Sequence, residues 1–377
     1  MSKDLSTPHD DNLRSPANNN YHNQEKDVAV LVGKEYDEVE QGPRRKRFFC
    51  WRLTKKQWIL SLVGLILGIL LVVFLIIWFA VIPAVFQKKL DAVELSLSHF
   101  DLLKLESDPS TNTAGIELQI HVKTDGSVNA VMDSTTATLY YKDRPFTTLT
   151  LPEQNIRKDT PEYDITIKDT AVFSDVAVFR ELSRDVVINK EVEIRAKASP
   201  TIHAFGLSGK DLDLDRTITA RGIWSFNDPA AVINEMKVTG CPVDEITMAV
   251  NITIDNASQI GLNGIGTLNM TLYYEQDKLG YAVMRNGERG MPRGPIDYIY
   301  DVHVSREESP FKIFKNMLIG ILSGKSQMYI TGEHEGATKA YLLGDALKAY
   351  NQSILYTDGL EKVTQDPDCD LTKIALG

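Results

Sequence analysis

At 377 residues the chain is longer than a single hydrophobic core serves, so two or three domains are expected. Its formal net charge of −10 is unevenly spread: from Lys88 onward there are 30 basic and 42 acidic residues. That balance excludes nucleic-acid binding by this part, because phosphate contacts need a basic footprint. The average composition looks soluble only because it averages three unlike regions.

The first region, residues 1–40, carries four basic and nine acidic side chains and almost no large apolar residue before Val28. Such a stretch cannot bury enough surface to offset its ordering entropy, so it reads as a disordered tail. Ser6, Thr7 and Ser15 are phosphorylatable there. Residues 41–57 follow with Arg44, Arg45, Lys46, Arg47, Arg52, Lys55 and Lys56 and no acidic residue. This basic patch should attract anionic lipid, at roughly 1 kcal/mol per charge near a membrane surface. Cys50 lies within it, a setting suited to S-acylation.

From Gln57 to Gln87 no residue is charged, and the run from Trp58 to Phe79 is apolar on every face. It exceeds the ~20 residues needed to cross ~30 Å of hydrocarbon, so a transmembrane helix over 58–86 is expected. The basic flank before it and the acidic Asp91 and Glu94 after it place the N-terminus in the cytosol and the bulk on the lumenal or extracellular side. Gly64 and Gly68 have the spacing that lets two such helices approach, a route to a homodimer. Beyond the span lie four glycosylation sequons, headed by Asn251, Asn256, Asn269 and Asn351. Cys241 and Cys369 stand there as an even pair, which permits a disulfide.

The remainder reads as short alternating runs rich in β-branched residues. Ile116 to Val122 alternates strictly and breaks at Thr124-Asp125-Gly126. Thr136 to Tyr141, a Lys142-Asp143-Arg144-Pro145 turn and Phe146 to Leu151 read as a hairpin. Ser174 or Asp175 could cap a helix with apolar residues at Val176, Phe179, Leu182 and Val186. Asp211, Asp213 and Asp215 would share one face of an extended strand.

The order then recurs. Ile246 to Ile254 breaks at Asp255-Asn256, Leu272-Tyr273-Tyr274 echoes Leu139-Tyr140-Tyr141, and Ser309-Pro310 opens a second helix with Phe311, Phe314, Leu318 and Ile321, closed by Gly324. The offset is 130 residues at the break, 133 at the tyrosine pair and 135 at the helix. A near-constant offset indicates duplication. The expected fold is therefore mainly β: tail and patch over 1–57, transmembrane helix over 58–86, and two tandem β-sandwich domains over 88–225 and 226–377, each with one covering helix.

Catalytic constellations are missing. The histidines beyond the span are scattered, Gly332-Glu-His334-Glu-Gly336 would point its ligands to opposite faces of a strand, and no nucleophile elbow, Walker loop or paired-cysteine metal motif occurs. No enzyme activity, cofactor or metal is expected.

The basic patch, single anchor, duplicated break and Leu-Tyr-Tyr strand resemble the late embryogenesis abundant group 2 proteins, and a related fungal family of membrane-anchored proteins. The usual Asn-Pro-Asn after the second strand stands here as Thr124-Asp125-Gly126-Ser127 and Ile254-Asp255-Asn256-Ala257, without the proline. The resemblance implies a β-sandwich with a helix over an apolar groove that holds lipid, and residence in the vacuolar membrane. The plasma membrane and endoplasmic reticulum also fit one anchor and four sequons. By position the groove would be lined by Val176, Phe179, Leu182 and Val186 in the first copy, and by Phe311, Phe314, Leu318 and Ile321 in the second. Two functions are thus in view: binding or transfer of membrane lipid, or a scaffold whose tail recruits a cytosolic protein.

Overall fold

The computed structural model of the chain describes residues 47–48, 51–52, 54–105, 111–285, 287–305, 307–332, 341–359 and 361–370. The tail, Cys50 and residues 333–336 of the Gly332–Gly336 stretch lie outside them. Two compact units divide the chain, Met1–Ile69 and Leu70–Gly377.

In the first unit, strands β1 (Arg47–Phe48) and β2 (Trp51–Arg52) pair antiparallel. Helix α1 (Lys55–Ile76) then starts at Thr54, whose backbone N–H donates to Gln57 Oε1 over 3.1 Å, half of a capping box. α1 buries none of its side chains, and nothing lies within 4 Å of a side chain built on Gly64 or Gly68. The helical run continues through a π-helical turn at Ile77–Val81 into α2 (Ile82–Asp91). Pro83 in the first turn of α2 has no N–H and would press on the carbonyl of Phe79; the wider turn just before it relieves both problems. The continuous helix, Lys55–Asp91, is long and apolar enough to cross a membrane.

The body is built mainly from antiparallel ladders, with Val232–Gly240 and Val363–Gln365, and Ile260–Leu262 and Glu94–Leu105, pairing in parallel. Its first half comprises β3 (Glu94–Leu105), β4 (Thr113–Lys123), β5 (Ala130–Met132), β6 (Thr135–Tyr141), β7 (Arg144–Leu151), β8 (Gln154–Ile156), β9 (Glu162–Val172), helix α3 (Val176–Ile188), β10 (Glu191–Ala198), β11 (Ile202–Ala204), β12 (Leu207–Gly209) and β13 (Leu214–Arg221). A short turn at Trp224–Phe226 leads to the second half. That half holds β14 (Val232–Gly240), β15 (Glu245–Asn256), β16 (Ile260–Leu262), β17 (Asn269–Tyr274), β18 (Asp277–Met284), β19 (Gly294–Ser305), helix α4 (Glu308–Leu322), β20 (Ser326–Thr331), the single-turn α5 (Gly344–Lys348), β21 (Asn351–Tyr356) and β22 (Val363–Gln365).

Strand order exposes the duplication. The second half forms one eight-stranded sheet, β21-β20-β17-β18-β19-β15-β14-β22. The first half carries the same succession split in two, β13-β10-β6-β7 and β9-β4-β3, with β16 added beside β3. Where β18 and β19 pair along four residues, the equivalent β7 and β9 come together only at a bridge between Thr147 and Phe173. A further four-stranded sheet, β12-β11-β5-β8, belongs to the first half. The fold is mainly β, as its alternating runs predict, with a helix on each half.

Burial ties the halves together. Most of their buried apolar residues form one cluster running from Leu97 to Cys369, and a smaller one, including Leu90, Ile202 and Leu214, belongs to the first half and the end of α2. β16 of the second half pairs in parallel with β3 of the first. Beside it the buried carboxylate of Asp101 accepts from Arg293 Nε at 3.0 Å and Nη2 at 3.1 Å, a bidentate pair that satisfies the charge where it is least hydrated. Cys241 and Cys369 are joined as a disulfide, with Cα atoms 5.7 Å apart.

Two local expectations need correction. α4 begins before Ser309, so Ser309 and Pro310 sit inside its first turn, while Gly324 closes it at φ +68°. The three aspartates do not share a strand face: Asp211 has a positive φ, β13 starts only at Leu214, and Asp215 pairs with Arg195 at 2.6 Å. Those contacts hold Asp215 near pKa 2, chiefly through the Arg195 hydrogen bond.

Candidate functional site

The void space concentrates in the first half, where the sheet is split. Between β13-β10-β6-β7, β3-β4 and α3 lies a cavity of about 140 Å³ lined almost wholly by aliphatic and aromatic side chains. α3 forms part of its wall. Asp175 caps the helix by accepting from Val178 N–H at 3.1 Å, and Phe179, Leu182 and Val186 then face inward. Phe179 stacks on Phe173, with ring centroids 3.7 Å apart. Val176, the fourth residue of the expected stripe, is half-buried against the core and does not reach the cavity.

Charge holds α3 from outside. Lys142 donates to Glu181 and Asp185, both at 2.8 Å, and Arg144 also pairs with Glu181. Tyr141 donates to Asp185; burial first, and that neighbouring carboxylate second, push its phenol up to about 12. These bonds clamp the helix to the β6-β7 hairpin.

The second helix does something different. Phe314, Leu318 and Ile321 are almost fully buried against the eight-stranded sheet, Phe311 is half-buried, and the space nearby amounts to about 20 Å³. Among the described residues the expected second groove does not open: four continuous pairs between β18 and β19 close the sheet that the first half leaves open, and the α4 stripe is core.

A larger apolar groove, about 400 Å³, lies where the membrane-spanning helix meets the body. One wall is the helix itself, through Val81 at the end of the π-helical turn and Ile82, Val85 and Phe86 of α2. The others come from β3, β4, the 124–128 turn and the small sheet, including Val128, Met132 and Leu207. Docking is specific. Gln87 Nε2 donates to Asp213 O at 2.8 Å while Asp213 N–H returns a bond to Gln87 Oε1 at 2.9 Å. Arg216 donates to Leu90 O at 2.9 Å. Phe86 packs on bare backbone at Gly209, where a β-carbon would come within 2.7 Å of the ring.

At the groove mouth the β11-β12 turn holds Phe205 at φ +55° and Gly206 at φ +74°. A bulky residue in left-handed backbone is uncommon, and this one is 80% exposed. Opposite it are the polar groups of the mouth. Lys89 Nζ donates to Asp125 Oδ2 at 2.5 Å and to Ser127 Oγ at 3.0 Å. The Lys89 hydrogen bond, then those from Ser127, hold the Asp125 carboxyl at about 2. Periodicity missed this groove because α2 is continuous with the anchor and β11 and β12 have three residues each. The available signal was Phe205 beside Gly206, an aromatic at a turn.

The glycosylation sites separate by exposure. Asn351 is exposed, and Asn251 and Asn269 are half-buried. Asn256 is corrected: it is buried, and its side-chain nitrogen, the atom a glycan would need, donates to Ile260 O at 2.8 Å. Among the described residues no cluster of three metal-ligating side chains occurs.

No curated protein matches the chain. Solved structures resemble it only remotely. CBD12 from CALX1.2 is 13% identical, covering 63% of this chain and 79% of that one at a TM-score of 0.19. Red sea bream transglutaminase is 13% identical, covering 73% and 32% at 0.23. The CupB6 tip adhesin from Pseudomonas aeruginosa is 7% identical, covering 73% and 99% at 0.19. Scores this low transfer neither fold nor chemistry. Residues 144–272, from the start of β7 to the middle of β17, match the family described as a protein of unknown function, DUF3712.

Proposed function

We propose that this single-pass membrane protein binds the acyl chain of a membrane lipid in the groove between α2 and the first β-sandwich half. One observation carries the reading: the wall of a 400 Å³ apolar groove is the direct continuation of the membrane-spanning helix. A ligand pocket of this size and lining gains from every methylene that enters it, and the anchor keeps its mouth beside the hydrocarbon. The reading includes no catalytic step. It agrees with the group 2 resemblance in placing a helix over an apolar cavity.

The proposed orientation puts the basic flank and N-terminus in the cytosol and the body in an oxidising lumen. The charge flank, the Cys241–Cys369 disulfide and the exposed Asn351 sequon support it. The vacuolar membrane is the proposed address, on the resemblance alone.

Native mass spectrometry of the full chain released from dioleoylphosphatidylcholine nanodiscs tests the reading. One phospholipid should survive delipidation on the wild type and be lost from Leu207→Asp, a half-buried wall position on the short hairpin. Equal lipid content in the two proteins, or none in the wild type, overturns the proposal.

A further inference from the structure

We infer that the groove does not end at its visible floor: a bound acyl chain passes between Leu95, Ile120, Leu151 and Leu214 and finishes in the inner cavity beneath α3. This deepens, and rests on, the lipid-binding reading above. The same four side chains line both the 400 Å³ groove and the 140 Å³ cavity, one from each of β3, β4, β7 and β13. They are the residues the two spaces share. Each is aliphatic, so a change of rotamer opens the way without breaking a hydrogen bond. Leu95, Ile120 and Leu151 are only half-buried although they stand between sheets. Leu95 and Leu151 also pack against both of the body's apolar clusters, bridging them.

Polarity sets the direction of the occupant. The charged groups that line the groove, Lys89 and Asp125, keep their side chains 49% and 44% exposed, so they mark its solvent side. The inner cavity offers no charged side chain; its hydroxyls are those of Ser183 and of Thr147, the latter donated to Val172 O at 2.9 Å. A headgroup therefore stays outside and a terminal methyl goes in, because a buried charge has no countercharge there. The inner volume is close to that of an engineered cavity of roughly 150 Å³ that accepts benzene, about six carbons. The ligand class is then a lipid with one long unbranched chain, and each further methylene buried tightens binding roughly fourfold.

Photo-crosslinking of the full chain in dioleoylphosphatidylcholine nanodiscs tests this. Two palmitic acids are used, one with a diazirine near the carboxylate and one with it near the methyl end. The first should label peptides holding Val128 and Leu207, the second those holding Phe179 and Ile218. Ala196→Leu, which narrows only the inner cavity, should return the methyl-end label to the groove and erase the preference for palmitic over decanoic acid. Methyl-end label confined to the groove in the wild type overturns the passage and leaves groove binding standing. Absence of label from both probes overturns the groove reading itself.

Discussion

Cutting the Cys241–Cys369 disulfide should lower stability substantially. The bond closes a loop of 128 residues that contains all of the second half from β15 to β22. Loop-closure entropy assigns such a crosslink about 5 kcal/mol, near the top of the usual range. For a body of this size that corresponds to a fall in melting temperature on the order of 10 °C. The cost is borne where little else holds the chain: β22 joins β14 through three residues in parallel, and Cys369 is buried beyond it. Thermal unfolding of the full chain in detergent, followed by circular dichroism, compares wild type, the Cys241→Ser/Cys369→Ser double variant, and wild type with reductant. A double variant melting within about 2 °C of the oxidised wild type would refute the reasoning. It would mean that the segment after β21 opens without cost to the rest, so that the loop is closed only locally.

Two further outcomes are expected. If the body is lumenal, Asn351→Gln removes one glycan and raises electrophoretic mobility, whereas Asn256→Gln changes no glycan and lowers the melting temperature by loosening the β15-β16 turn; a mobility shift from Asn256→Gln would show that this amide is accessible. The Lys89–Asp125 contact at the groove mouth depends on a carboxyl held at about 2 against an ordinary 3.8. Its contribution is fully present above that ordinary value and lost as pH falls through about 2, so lipid retention at the mouth should be unchanged between pH 7 and pH 5. A fall in retention across that interval, absent in Lys89→Ala, would contradict the assignment.

Much of the architecture is legible in the residues. The uncharged run after Gln57, the strict alternation of Ile116 to Val122 and the offset between the two tyrosine pairs require no tertiary information, and the Asp175 cap is a local hydrogen bond. The inward stripe Phe179, Leu182, Val186 is likewise a matter of helical spacing. What periodicity could not show is whether such a stripe meets a void or a sheet. Phe314, Leu318 and Ile321 follow the same helical periodicity as the α3 residues and lie in solid core, since the difference is made by pairing between β18 and β19. The mouth groove was hidden for a related reason. Its walls are a helix read as pure anchor, three-residue strands, and Gly209, whose importance lies in what Phe86 does across 123 positions of sequence.

The seam at Thr147 and Phe173 gives the two copies different evolutionary freedom. A closed copy that bears the long sheet tolerates little change inside, because added volume there has nowhere to go. The open copy is lined in part by alanines, at 137, 171, 196 and 220, where a single added methyl alters capacity. After duplication, one half could be kept as frame while the other drifted in bore, so that the volume of its cavity is set by a few small side chains.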